Sequence, residues 1–275
     1  MTTPLPFFQV DAFADAGARS HAGGMASTGA FTGNPAAVMP LNEWLPDETM
    51  QAIAAENNLS ETAFTVSSER DDADYDLRWF TPTVEVELCG HATLASGHVL
   101  IHGDRVRFST RSGILTVTRK DGLLMLDLPA AKVEPARVDG LIAALDLEES
   151  TETFTLRGGN GGAIVLLDNE AAVRAVRPDF KALADIPGLA IVTAPGDEHA
   201  IASRVFVPSL GIDEDPVTGA AHAALTPFWA ERLGRHHFTA LQASKRTGIL
   251  HCEHRGDRAI LGGHCVTVIE GHFQI

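Results

Sequence analysis

Two segments restrict the fold more than any other feature of the chain: LCGHATLASGHVL (Leu88–Leu100) and VTGAAHAALTPFW (Val217–Trp229). Each runs a strand-like or turn segment into a glycine, sets a histidine within a few residues, and continues as a helix of small apolar residues. A helix that is apolar on nearly every face is buried inside its domain, not laid on the surface. One such segment in each half points to two β-rich units built in the same style.

The ends of such helices carry chemistry. The first turn leaves backbone N–H groups without helical partners and holds the positive end of the helix dipole, so a buried N-terminus favours a carboxylate or phosphate. Glycine there lets a ligand come close to the backbone. If the halves are related by approximate two-fold symmetry, the N-termini at Gly90 and Gly219 face one another across a cleft and hold a small anion. Motif spacing leaves a second reading open, in which each glycine only makes a tight turn.

The chain has 275 residues, 45% of them hydrophobic, enough for two domains that each have a core. No apolar run approaches the roughly 18 residues that a membrane helix needs, so no membrane role is expected. The N-terminus MTTPLPFFQVDAF has neither the basic stretch nor the apolar core of a secretory signal, and a cytoplasmic protein is expected. Three cysteines (Cys89, Cys252, Cys265) are too few and too odd a set for a disulfide framework and read as free thiols. With 21 Lys and Arg against 36 Asp and Glu, the net charge of −15 would repel a nucleic acid.

Along the chain, FFQVDAF reads as an opening strand, and the Gly/Ala/Ser-rich stretch from Ala14 to Thr32 reads as a loop, either a plain surface insertion or a flap over a site. Pro46 opens a helix, PDETMQAIAAENN, with Met50, Ile53 and Ala54 on one face. LSETAFTV and YDLRWFTPTVEVEL follow as strand-like runs. In the second half LLMLDLP, TFTLRGG, GAIVLLD and GLAIVTAP are strand candidates. DNEAAVRAVRPDFKAL reads as one helix between them, and VDGLIAAL as a shorter one. GILHCEH, RAILGG and HCVTVIEG close the chain as strands.

Twelve histidines invite a metal reading, above all in LHCEH. On a strand, however, His251 and Glu253 face one way while Cys252 and His254 face the other. No set at zinc-like spacing is expected to converge. GGNGG (Gly158–Gly162) lacks the order of a dinucleotide fingerprint, so no cofactor is expected.

Taken together, FTGNPAAV, NLSETAF, RWFTPTVEVELCGHATLA and GIDEDPVTGAAH, with the ending QASKRTGILHCE…LGGHCVTVIEG, resemble the PhzF-like family of phenazine-biosynthesis isomerases, which is related to diaminopimelate epimerase. The likeness covers nearly the whole chain. It implies an α+β fold of two similar domains, each a curled, mostly antiparallel sheet around a central helix, with the active site between them and commonly a homodimer. The implied domains are residues 1–128, joined by a C-terminal strand near 265–275, and residues 129–264.

The resemblance also assigns residues. Glu61 matches the family's acid/base, and Leu59, Ala63, Phe64 and Val66 around it would desolvate its carboxylate and suit it to proton transfer. Asp215 matches a carboxylate that lines the site and holds the substrate or assists the proton shuttle; by itself it reads as a favourable partner of a helix dipole. His91 matches a site histidine that gives a hydrogen bond or its backbone N–H. Family members often read DPVTGSAH where this chain has Ala220, so one hydroxyl donor is missing. The backbone N–H groups of Gly90, Gly219 and Ala220 and the hydroxyl of Thr218 are then the donors for a small anionic metabolite. Cys89 stands where diaminopimelate epimerase has a catalytic cysteine. A two-thiol racemase needs a second thiol, and the equivalent position is Thr218, so an inert Cys89 is expected. The function implied is a cofactor-independent isomerase that shifts a proton within a small carboxylate. A non-catalytic small-acid binding protein and an amino-acid racemase are the alternatives.

Overall fold

The computed structural model describes residues 4–17, 29–157 and 161–275. Most of the loop from Ala14 to Thr32, and part of GGNGG, lie outside the described residues. The chain divides into two compact units, Met1–Asp127 with Gly262–Ile275, and Leu128–Leu261.

The first unit contains β1 (Leu5–Ala14), β2 (Asn34–Pro40), α1 (Asp47–Asn57), β3 (Glu61–Ser67), β4 (Tyr75–Phe80), β5 (Glu85–Val86), α2 (Gly90–Leu100), β6 (Arg105–Thr110), β7 (Gly113–Lys120) and β8 (Leu123–Pro129). The second contains β9 (Lys132–Pro135), α3 (Leu141–Ala144), β10 (Glu152–Arg157), β11 (Gly162–Leu166), α4 (Glu170–Ala175), α5 (Phe180–Ala184), β12 (Leu189–Pro195), β13 (Ile201–Val207), β14 (Ile212–Asp215), α6 (Gly219–Leu233), β15 (His237–Gln242) and β16 (Gly248–Arg255). The last strand, β17 (Arg258–Phe273), begins in the second unit and ends in the first, where it pairs with β1.

In the first unit the strands follow the order β8, β7, β6, β4, β3, β2, β1, β17, and β17 pairs back to β8. The sheet therefore closes like a barrel. Helix α2 packs against β1, β2, β3 and β7, strands from different sides of that ring. The sequence explains why it fits: every residue from Gly90 to Gly97 is buried, and nearly all are small. Its two buried hydroxyls return to the helix backbone, Thr93 Oγ1 to Cys89 O and Ser96 Oγ to Ala92 O (2.8 Å), which avoids unpaired polar groups. Helix α1 takes the other face of β2 and β3. Met50, Ile53 and Ala54 bury there with Met39, Phe64 and Val66, as the periodicity of the helix requires. Burial of Met50 and of Ile53 contributes about 1.5–3 kcal/mol each.

In the second unit β9, β10, β11, β12, β13, β15 and β16 pair in that order, and the first and middle turns of α6 are buried. Trp229 Nε1 donates to Thr193 Oγ1 on β12 (3.0 Å). Pro227 lies inside the helix and cannot donate to Ala223 O one turn back. The N–H of Ala131, just before β9, takes that carbonyl instead (3.1 Å). The continuous helix expected over DNEAAVRAVRPDFKAL is two short ones, α4 and α5. Pro178 interrupts the run, and Asn169 and Asp179 each cap a new start by accepting from Ala172 N and Ala182 N. Leu141, Leu145, Val173 and Leu183 pack with Val165, Val192 and Phe206 in one core.

Gly97 shows how tightly α2 is held. A Cβ there would lie 2.6 Å from Val117 Cγ1 on β7, closer than real contacts allow. Gly97→Ala is expected to cost about 1–3 kcal/mol by overpacking. Adding Val117→Ala recovers part of that loss, so urea unfolding of the two single variants and the double variant gives non-additive changes.

Candidate active site

Glu61 opens β3, and the parallel register sets it opposite Ala36 of β2. Successive side chains alternate faces along a strand, so Asn34, Ala36, Glu61 and Ala63 share one face. The first turn of α2 lies on that face. His91, 3% exposed, places Nε2 3.1 Å from Glu61 Oε2 and Nδ1 3.3 Å from Asn34 Nδ2 and 3.6 Å from Cys89 Sγ. The Nε2–Oε2 contact has ion-pair distance, but the ring N–H is not aligned on the oxygen as a hydrogen bond requires.

This differs from the expected surroundings of Glu61. Phe64 and Val66 point to the opposite face, into the α1 core, and Leu59 is half-buried. The groups that enclose Glu61 are Ala63 on its own strand, Ala36 across the sheet and the imidazole of His91. Its side chain keeps 14% exposure, against 4% for that of His91. Glu61 is the more accessible of the pair.

The electrostatics separate the three groups. Burial pushes the Cys89 thiol up to about 11, with the charge of Glu61 adding to the effect. Cys89 is then a neutral thiol at physiological pH and a poor nucleophile. For His91, burial alone would lower the imidazole, but Cys89 and Glu61 outweigh it and hold the ring well above its usual value. With Cys89 neutral, the negative charge that supports a protonated His91 is the carboxylate of Glu61.

Donor atoms of Glu61, Cys89 and His91 all lie within 4.8 Å of one another, so a three-residue set does converge, at a place that LHCEH did not indicate. The closest contacts of His91 use opposite ring nitrogens, Nε2 towards Glu61 and Nδ1 towards Cys89.

In the second unit, Asp215 ends β14 and is buried. Thr218 Oγ1 donates to Asp215 Oδ2 (2.5 Å), and the Thr218 N–H is taken by Gln242 Oε1 (2.8 Å). Gln242 Nε2 donates to Asp215 O (2.8 Å), and Ser244 Oγ to Pro216 O (2.8 Å). Thr218 was expected to offer its hydroxyl to a ligand, but here that proton is committed to Asp215. Donors remain in the first turn of α6, where Gly219 is buried, Ala220 is half-buried and no side chain caps the helix. Gln242 and Ser244 stand in the QASKRTG segment, but their role as a clamp on DPVT was not legible in that stretch. Asn34 was likewise missed. Its signal was the FTGNP segment, where Gly33 (φ +71°) allows a backbone path whose Cβ would come 2.3 Å from Ala12 O.

His222, one turn into α6, is the counterpart of His91 by sequence pattern but not by chemistry. It is fully buried, and its Nδ1–H donates to Thr218 O (2.9 Å). With no carboxylate beside it, burial lowers it to about 4.

Residues 26–271 match the model of a family described as phenazine biosynthesis-like protein (PhzC-PhzF). An uncharacterized isomerase of Pseudomonas aeruginosa is 46% identical over 279 residues, which cover 98% of this chain and 99% of that protein. The chain belongs to the phenazine biosynthesis-like family. A crystal structure of a PhzF-family protein from Enterococcus faecalis superposes with a TM-score of 0.86 at 40% identity, covering 99% of this chain and 100% of that one. A probable proline racemase from Agrobacterium radiobacter shares the fold alone, with a TM-score of 0.60 at 12% identity over 98% of this chain and 93% of that one. Relatives of this phenazine biosynthesis-like protein carry the name isomerase, and it is an enzyme of that isomerase family. Among the described residues, no helix is long and apolar enough to cross a membrane.

The two histidines predict opposite pH signatures. The folded value of His222 is depressed, so between about pH 6.5 and 4 the unfolded chain binds a proton that the folded chain refuses, and stability falls as pH falls. Between pH 7 and pH 5 the loss from this residue is about 2 kcal/mol. His222→Asn is expected to remove that part of the acid sensitivity, read by urea unfolding at the two pH values. The folded value of His91 is raised, so its contribution is full below the unfolded value and is lost as pH rises through the folded one.

Proposed function

We propose that this phenazine biosynthesis-like protein is a cofactor-independent isomerase that moves a proton within a small carboxylate-bearing metabolite. Glu61 is the acid and base. The observation that carries this reading is the 3.1 Å contact between the accessible Glu61 carboxylate and the buried imidazole of His91, which is held well above its usual value. A carboxylate exposed at one edge and backed by an imidazole can take a proton from an activated carbon and return it. With one such base, removal and return occur on the same face of the substrate.

Anion binding is assigned to helix N-termini, the first-turn amides of Gly90 and His91 in the first unit and of Gly219 and Ala220 in the second. Such donors stabilise charge that develops during proton removal. Asp215, held by Thr218 and Gln242, is assigned to the substrate's polar group. An amino-acid racemase with two thiols gains no support, because Cys89 is held as a thiol and its counterpart Thr218 is bonded to Asp215.

The test is deuterium incorporation. Small carboxylic acids with an activated C–H are incubated with the protein in deuterated water and followed by NMR. The wild-type protein is expected to place deuterium at one carbon of a substrate acid. Glu61→Gln keeps the size of the side chain, so binding survives while exchange falls at least about a hundredfold. Exchange that persists in Glu61→Gln but is lost in Asp215→Asn moves the acid/base role to Asp215. Saturable binding without exchange in the wild type supports the small-acid binder instead.

A further inference from the structure

The contact between Asn34 and His91 is not used by the reaction described above. Asn34 is fully buried at the start of β2, on the same sheet face as Glu61, and its Nδ2 lies 3.3 Å from His91 Nδ1. An NH2 group has no lone pair to offer, so this contact is a hydrogen bond only when Nδ1 is the acceptor. The ring proton of a neutral His91 then resides on Nε2, the nitrogen that faces Glu61. With the other tautomer, the unprotonated Nε2 would set a lone pair against the carboxylate.

We propose that Asn34 is a positioning residue that fixes the tautomer of His91, so that Nε2 always presents a proton to Glu61, and that turns its amide to present Oδ1 when His91 gains its second proton. An amide is suited to both states because it carries a donor and an acceptor at its two ends, and a half-turn exchanges them. Cys89 Sγ, 3.6 Å from the same nitrogen, is a weaker partner on the same side. The strands packed against α2 leave few other groups to set the ring. Glu61 on β3 faces it. Asp11 on β1 has its neighbour Ala12 opposite Asn34 and so points to the other face. Arg119 at the end of β7 acts on His98, in the last turn of α2.

The role of Asn34 rests on the proposed function, since it acts through His91 on Glu61, but its test does not require turnover. Long-range proton–nitrogen NMR on the labelled wild-type protein separates the tautomers, with His91 assigned by comparison with His91→Asn. At alkaline pH, where the ring is neutral, the proton is expected on Nε2. A proton on Nδ1 overturns the proposal without any variant. Asn34→Asp, which can only accept, is expected to keep Nδ1 protonated and to shift the titration of His91 upward by at least one pH unit. Asn34→Leu is expected to give a mixture of tautomers and to move the pH profile of deuterium exchange. If both variants fold, as judged by their amide spectra, and leave the tautomer and the titration unchanged, Asn34 has only a structural role. Loss of the proposed function shows instead in Glu61→Gln that still exchanges, with the tautomer of His91 as expected.

Discussion

The first unit depends on a polar chain buried at the entry of an apolar helix. His91 belongs to α2, whose other residues are small or aliphatic, and it would be costly there without partners. Asn34 and Cys89 meet one side of the ring and Glu61 meets the other. Those partners come from β2, from the residue before the helix and from β3, so the chain forms only when the sheet has closed around α2 in its native register. A slip of one residue in the pairing of β2 with β3 would turn Glu61 towards α1 and leave His91 with no carboxylate.

The second unit solves a similar problem without a charge pair. Its helix is also entered through glycine and carries a buried histidine, but His222 donates to its own helix backbone and stays neutral. Its carboxylate, Asp215, ends β14 ahead of the helix, where Thr218 and Gln242 hold it. The two helix entries therefore look alike in sequence and differ in chemistry. One holds an imidazole and a carboxylate together, and the other separates them.

Much of the local structure was legible from periodicity. The buried face of α1, the full burial of α2 and the placing of Glu61 on a strand follow from side-chain spacing alone. Local rules also misled where they met. The helix read over DNEAAVRAVRPDFKAL breaks at Pro178, because the caps at Asn169 and Asp179 satisfy two separate starts better than one kinked helix would. Phe64 and Val66 are neighbours of Glu61 in sequence but lie across the sheet from its carboxylate, since alternation along a strand outweighs proximity along the chain. Pro227 within α6 is the reverse case. The helix read through it does continue, and Ala131, distant in sequence, donates to the Ala223 carbonyl that the proline leaves without a helical partner.

The resemblance to the family, not residue spacing, pointed to Glu61, His91 and Asp215; the sequence by itself determined that two glycine-entered helices would be buried and that the charge balance was unsuited to nucleic acid. The burial of the helices and the charge argument follow from residue types and their spacing, which act locally. Only the tertiary structure decided what each group touches. Asn34 meets His91 across 57 positions of chain, and Gln242 holds Asp215 across 27. Such contacts are set by strand register and by the closing of a sheet around a helix. No local pattern records them, and they decide which histidine sits beside a carboxylate, which thiol is buried and which hydroxyl is already bonded.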